Sequence, residues 1–323
     1  MFKKYKNLHI SEKRNLINII FWKLGLYRKN KSFYNPGFKN EILNKKHVEA
    51  NFDLKKPFFS WINHSSFLVN INGTTILTDP IFSDICSPIS FLGPKRLHPP
   101  GLKLDDLKNV DFVLISHDHY DHLDKFTVKM LYKKFPNVTF ITPLGIKKWF
   151  LKKKIMSIKE LSWWDSLTFN LKDNHFLKIT AVPSQHFSGR GCFFYKSLWC
   201  GFVVEYFTSE KKCLKKFYFT GDTGYNEYDF KDIGKKWNDI DLSFIPIGSY
   251  LPKKLMKPIH INPTEAVNIH KEVNSKLSIG MHWKTFQLSD EIAEQPPYDL
   301  FMATEKEKID NFVVVDPGDH INW

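Results

Sequence analysis

Ser116-His117-Asp118-His119-Tyr120-Asp121-His122-Leu123-Asp124 follows directly on the apolar run 112–115 and sets three imidazoles among carboxylates in one short stretch. A strand that stops on His-x-His-x-Asp-His delivers these side chains from a loop at its carboxyl end. From there the first two can reach one metal ion and the next two another. A histidine-rich surface turn is the simpler reading, but packing calls for no such density and the spacing follows metal-site chemistry. The stretch reads as a cradle for two metals.

A binuclear site needs more ligands than one loop supplies, and three further strand ends offer them. Pro183-Ser184-Gln185-His186 closes the strand-like run 176–182, Thr220-Gly221-Asp222-Thr223-Gly224 closes 216–219, and Gly280-Met281-His282-Trp283 closes 277–279. Five imidazoles and two carboxylates suit zinc best, with iron or manganese as alternatives.

These motifs, together with Leu77-Thr78-Asp79-Pro80-Ile81-Phe82, Gly93-Pro94-Lys95-Arg96, Gly224-Tyr225, and Ile245-Pro246-Ile247-Gly248, carry a family resemblance. Over about residues 57–300 the chain resembles the N-acyl-phosphatidylethanolamine-hydrolysing phospholipase D-like family of the metallo-β-lactamase superfamily. The resemblance implies an α/β fold, the αββα sandwich of two mixed β-sheets with helices outside. It implies two zinc ions, one on His117, His119 and His186, the other on Asp121, His122 and His282, with Asp222 bridging. It makes Asp222 and His260 catalytic, His260 facing the substrate phosphate. It places Asp79 behind the histidine loop, His64 in the pocket, and Lys95, Arg96 and Tyr250 near substrate. The implied reaction is metal-activated attack by hydroxide on a phospholipid phosphodiester, releasing a phosphatidic acid and an N-acylethanolamine.

The chain departs from the family where substrate is bound. Ser249-Tyr250-Leu251-Pro252-Lys253 stands where the family usually has Ala-Tyr-Glu-Pro-Arg, Lys284 replaces a common glycine, and Ile89-Ser90-Phe91-Leu92 precedes Gly93. Lipid contacts therefore do not carry over. Asp222 in place of the cysteine common in class B lactamases points to the phosphodiesterase and thioesterase branches. The alternative function is a hydrolase of a small phosphoester, lactone or thioester. A nuclease fits less well, because 36 positions from His186 to Asp222 and 60 from Asp222 to His282 leave little room for an inserted domain. No nucleic acid partner is expected.

With 323 residues and 42% hydrophobic content, the chain can bury one large core. Aromatic residues at 15%, nine of them Trp, serve either a lipid-facing groove or core filling. Cys86, Cys192, Cys200 and Cys213 form no Cys-x-x-Cys pair, which predicts reduced packing thiols and a cytoplasmic setting.

The net charge of +13 is uneven, since residues 1–50 hold twelve Lys or Arg against three Glu. Within them Leu16, Ile17, Ile20, Phe21, Leu24 and Tyr27 recur at helical spacing, predicting an amphipathic helix that either lies on an anionic membrane or docks on the core. The division expected is a basic segment, 1–56, before a catalytic domain, 57–323. No spanning helix or signal peptide is expected, and the resemblance suggests a homodimer.

Strands are expected at 58–62, 66–71, 74–78, 111–116, 138–142, 158–163, 176–182, 199–206, 216–220, 242–247, 277–281 and 312–315, the second and third joined by an Asn72-Gly73 turn. Helices are expected at 124–134, 144–151, 263–273 and 300–309, the third capped by Asn262 with Glu265 three residues on.

Overall fold

A computed structural model describes residues 4–9, 22, 53–190 and 193–323, without the side chain of residue 193. The apolar stripe of the N-terminal segment and Cys192 lie outside the described residues.

Sixteen strands are described, fourteen of them in two seven-stranded sheets. β1 (Phe58–Asn63), β2 (Ser66–Ile71), β3 (Thr74–Thr78), β4 (Phe112–Leu114), β5 (Thr139–Pro143) and β6 (Ile158–Leu161) run in sequence order across the first sheet. β7 (Ser166–Asn170) and β8 (Phe176–Val182) begin the second. A short ribbon of β9 (Gly189–Arg190) and β10 (Phe193–Phe194) follows, and β11 (Gly201–Phe207), β12 (Cys213–Phe219), β13 (Leu242–Pro246), β14 (Ser278–Met281) and β15 (Phe312–Val313) complete the second sheet. β16 (His320–Asn322) crosses back to pair with β1. Early pairs are antiparallel, while β3 to β6 and β12 to β15 are parallel, so both sheets are mixed. This is the αββα sandwich.

Local chemistry explains several elements. Asn72 and Gly73 both have positive φ, 49° and 85°, the backbone a two-residue hairpin between β2 and β3 requires. Asp124 caps the helix Lys125–Lys134 by accepting from the backbone N–H groups of Phe126 and Thr127. Asn262 and Glu265 form a reciprocal capping box on the helix Pro263–Glu272, with Pro263 in its first turn.

β1 is buried along its whole length because both its faces are covered. Phe59 and Trp61 point between the sheets, into a core shared with Phe202, Phe217 and Phe244. Phe58 and Ile62 point outward into a second core with Val128, Leu131 and Phe150 of the covering helices. That double covering yields a mostly apolar run, broken only by the buried Ser60 and Asn63.

The structure corrects several boundaries. The strand expected at 158–163 ends at Leu161, and β7 follows as a separate edge strand. The helix expected at 300–309 is Gln295–Glu307, with Pro296 and Pro297 in its first turn, where missing N–H groups leave no bond unmade. The helix expected at 144–151 is Lys147–Leu151, and Asp229–Lys236 and Lys253–Met256 are helices that the sequence pattern did not disclose. Among the described residues, no helix is long and apolar enough to cross a membrane.

Candidate metal centre

His117, His119, Asp121 and His122 leave the end of β4 together, and the ends of β8, β12 and β14 bring His186, Asp222 and His282 to the same place. His119 Nδ1 lies 2.8 Å from His117 Nε2 and 3.2 Å from His186 Nε2, so three ring nitrogens converge. Two of these rings are oriented from behind. Ser116 Oγ donates to Asp79 and accepts from His117 Nδ1, 2.8 Å away, while His186 Nδ1 donates to the Ile259 carbonyl at 2.8 Å. Each Nε2 lone pair is thereby left facing inward. Burial holds His117 and His186 well below the ordinary imidazole range and lowers His119, which keeps the triad neutral.

The second cluster surrounds Asp121 Oδ2, which lies 3.1 Å from His64 Nε2, 3.3 Å from His122 Nε2 and 3.6 Å from His282 Nε2. Asp79, itself fully buried, accepts from His122 Nδ1 at 2.6 Å and from the Ser116 N–H at 2.7 Å. It therefore supports one ring of each cluster. Burial pushes the Asp79 carboxyl up, against the pull of His122 and Ser116.

Asp222 stands between the clusters. Its Oδ2 is 3.1 Å from His282 Nε2, 3.3 Å from His122 Nε2, 3.7 Å from His186 Nε2 and 3.9 Å from His117 Nε2. The preceding Gly221 has φ +62°, and a side chain there would strike Ser116 Cβ and the Cys200 carbonyl, so only glycine brings Asp222 this close. Burial opposes ionisation of Asp222 and Asp121, but the neighbouring imidazoles, His122 foremost, hold both well below the usual carboxylate range. In return, burial presses His282 down while Asp222 and Asp121 lift it to about 9; His122 rises likewise. His122 Nε2, His282 Nε2 and Asp222 Oδ1 are buried and make no hydrogen bond among the described residues. Convergent lone pairs and orphaned buried acceptors around a shared carboxylate fit bound cations.

A family model described as a beta-lactamase superfamily domain matches residues 74–283. The chain is 40% identical over 272 residues to an N-acyl-phosphatidylethanolamine-hydrolyzing phospholipase D 1 of Caenorhabditis elegans, covering 81% of this chain and 74% of that one. The chain belongs to the metallo-β-lactamase superfamily. Within it, it is a member of the N-acyl-phosphatidylethanolamine-hydrolysing phospholipase D-like family and a metal-dependent hydrolase. A mitochondrial N-acyl-phosphatidylethanolamine-hydrolyzing phospholipase D of Saccharomyces cerevisiae is 34% identical over 261 residues, covering 80% of this chain and 54% of the yeast protein. The sandwich also matches a metallo hydrolase of Ignicoccus hospitalis with TM-score 0.60 and 20% identity, over 83% of this chain and 98% of that one.

In this metallo-β-lactamase site a cavity of about 200 Å³ opens over Asp121, Asp222, His119, His260 and His282, with walls from Trp22, Phe187, Met256, Ile259 and Leu288. His260 Nδ1 is 3.9 Å from Asp222 Oδ2, and its side chain keeps 11% exposure where His186 and His282 keep 1%. The remaining expected substrate contacts lie elsewhere. The Arg96 guanidinium is buried and donates to the carbonyls of Ile81 and Ser83, 3.2 and 2.6 Å away. Lys95 is exposed and does not line the cavity, and Tyr250 donates its hydroxyl to Asp299 at 2.5 Å. Arg96 and Tyr250 thus spend their polar groups on internal partners, and none of the three lines the cavity.

Other supports have no local signature. Asp118, the non-ligand of the histidine loop, accepts from the Gly189 N–H and from Ser197 Oγ. Arg190 donates to the carbonyls of Asp118 and Leu123. Asn7 Oδ1 accepts from the His186 backbone N–H at 3.1 Å and from Trp199 Nε1 at 2.9 Å, and Trp22 Nε1 donates to Asp290 at 2.8 Å. Each contact spans a sequence separation that no motif bridges.

Proposed function

We propose that the protein is a binuclear zinc phosphodiesterase of phospholipase D type, acting on N-acyl-phosphatidylethanolamine-like phospholipids. The observation that carries this reading is Asp222 Oδ2, set within 3.1–3.9 Å of Nε2 atoms from both imidazole clusters. His117, His119 and His186 would hold one ion, Asp121, His122 and His282 the other, and Asp222 would serve both. Bound zinc supplies Lewis acidity, making water a nucleophile near neutral pH and neutralising phosphoryl charge.

The chain's own groups do the rest. Asp79 and Ser116 keep the rings of His122 and His117 in the tautomers that present Nε2. His260, at the mouth of the cavity, is placed to hydrogen-bond a phosphoryl oxygen. Phe187, Ile259 and Leu288 offer apolar surface to acyl chains. Hydrolysis forms a bond from water oxygen to phosphorus, breaks the bond from phosphorus to the ethanolamine oxygen, and leaves a proton on the departing alcohol.

The test is incubation of the zinc-loaded protein with N-acyl-phosphatidylethanolamine in mixed micelles, with both products followed by mass spectrometry. Matched release of phosphatidic acid and N-acylethanolamine supports the reading. Release of fatty acid, or hydrolysis confined to lactones or thioesters, sinks it.

A further inference from the structure

Residues 125–159 hold ten lysines and no Asp, Glu or Arg. This run rivals the +9 of residues 1–50, yet it belongs to the folded sandwich. Its lysines are carried largely by the helices Lys125–Lys134 and Lys147–Leu151 and the turn after the second. We propose that the face built by these two helices seats the enzyme on an anionic phospholipid surface. The proposal deepens the phospholipase reading and rests on it for the identity of the surface.

Three observations support it. First, the helices present charge together. Lys153 is pulled down to about 8, by burial first and then by Arg190, Lys125, Lys129 and Lys152, so cations from the first helix, the turn after the second and β9 share one neighbourhood, with Lys153 and Arg190 both over the Trp149 ring. Like charges held this close in a folded protein are costly unless an anionic partner offsets them.

Second, exposed apolar side chains stand among the lysines: Phe126 at 53%, Leu151 at 37% and Met156 at 69% exposure. Lysines interleaved with such side chains match an interfacial surface, where cations meet headgroups and apolar groups enter the acyl boundary. A nucleic acid would use the charge and leave these side chains without a role.

Third, the face connects to the site. Lys153 Nζ lies 3.6 Å from the centre of the Trp149 ring, and the Arg190 guanidinium 5.2 Å from that ring and 4.1 Å from the ring of Tyr120. Tyr120 lies between His119 and Asp121. Arg190 also donates to the carbonyls of Asp118, within the ligand loop, and of Leu123, just after it. A continuous stack of cations and rings thus joins the lysine face to the loop that carries four candidate ligands.

The test uses the full chain with Lys125→Gln, Lys129→Gln and Lys152→Gln combined, beside a control with Lys211→Gln, Lys212→Gln and Lys306→Gln. Sedimentation is measured with phosphatidylcholine vesicles with and without phosphatidylglycerol. A lysine near such a surface is worth roughly fivefold in binding, so the test variant should bind anionic vesicles about a hundredfold more weakly. The control should bind as the parent does, and raised salt should erase the difference. Unchanged hydrolysis of bis-p-nitrophenyl phosphate in the test variant shows that the fold and the centre are intact. Equal loss in both variants, or no loss in the test variant, overturns the proposal. So does a test variant that loses affinity for a DNA duplex while keeping that for vesicles. Vesicle binding without N-acylethanolamine release by the parent would refute the substrate reading and leave the docking face standing.

Discussion

His64 Nε2 lies 3.1 Å from Asp121 Oδ2, and its ring centre is 4.0 Å from that of His282. The bend between β1 and β2 therefore reaches into the ligand cluster, beside Asp121 from its own sheet and His282 from the other. His64 is fully buried, has φ 45°, and is lowered to about 3, by burial before His282, so it is a neutral ring. Its backbone N–H donates to Thr285 Oγ1 at 2.7 Å, fixing the bend against the segment after His282. His64→Ala should release Asp121 and lower metal affinity by ~10 to 100-fold, as loss of an outer partner does. Metal retained against a chelator at the parent's level would remove His64 from the centre.

Asp79 touches ligand rings and no part of the cavity. In Asp79→Asn one oxygen can still accept from Ser116 N–H, but the amide cannot accept from His122 Nδ1. Metal affinity and kcat should fall by ~10 to 100-fold with KM little changed. A rise in KM at constant kcat would contradict a role confined to orienting ligands.

The two clusters should load metal differently as pH changes. Without metal, His122 and His282 are raised and hold protons that an entering ion must displace, whereas His117, His119 and His186 are already neutral. Lowering pH from 8 toward 6 should thus weaken uptake at the Asp121 cluster more than at the three-histidine cluster. Zinc titration calorimetry in buffers of different ionisation enthalpy should show two steps, with proton release larger in the weaker one. Elemental analysis should give near two ions per chain at pH 8, and a single step with one ion would rule out the binuclear arrangement.

Arg96 tests structure against chemistry. Removing its guanidinium strands the Ser83 carbonyl, while the Ile81 carbonyl keeps the Asn63 amide as donor, and a buried unsatisfied acceptor costs ~1 to 3 kcal/mol. Arg96→Met should lower Tm while leaving KM for a soluble phosphodiester unchanged. A raised KM at unchanged Tm would mean that Arg96 grips the substrate phosphate.

The convergence of the candidate ligands was legible because each sits in a short motif at a strand end, where the chain itself fixes its position. The central strands were legible for a related reason, since double burial makes runs such as β1 mostly apolar, with only Ser60 and Asn63 interrupting it. β7 was not, because it is a half-exposed edge with Leu167 and Phe169 alternating among polar residues. The helix Gln295–Glu307 was read short because prolines in a first turn look like breakers. Arg96 and Lys95 are adjacent in a family motif, yet burial separates them, and nothing in Gly-Pro-Lys-Arg indicates which points inward. Asn7, Trp22 and Arg190 act across long separations, which only the folded backbone supplies.

The return of the chain to β1 through β16 has a bearing on solubility. Without that three-residue strand, β1 would be an open edge of the first sheet, flanked on both faces by Phe58, Phe59, Trp61 and Ile62. A flat apolar edge with unpaired N–H and C=O groups is a template for pairing with another copy. β16 is short, and it places the half-exposed polar residues His320 and Asn322 on the outside. It acts as a guard strand, and substitutions that weaken its pairing would be felt first as aggregation, with the metal centre and its catalysis intact in whatever fraction stays in solution.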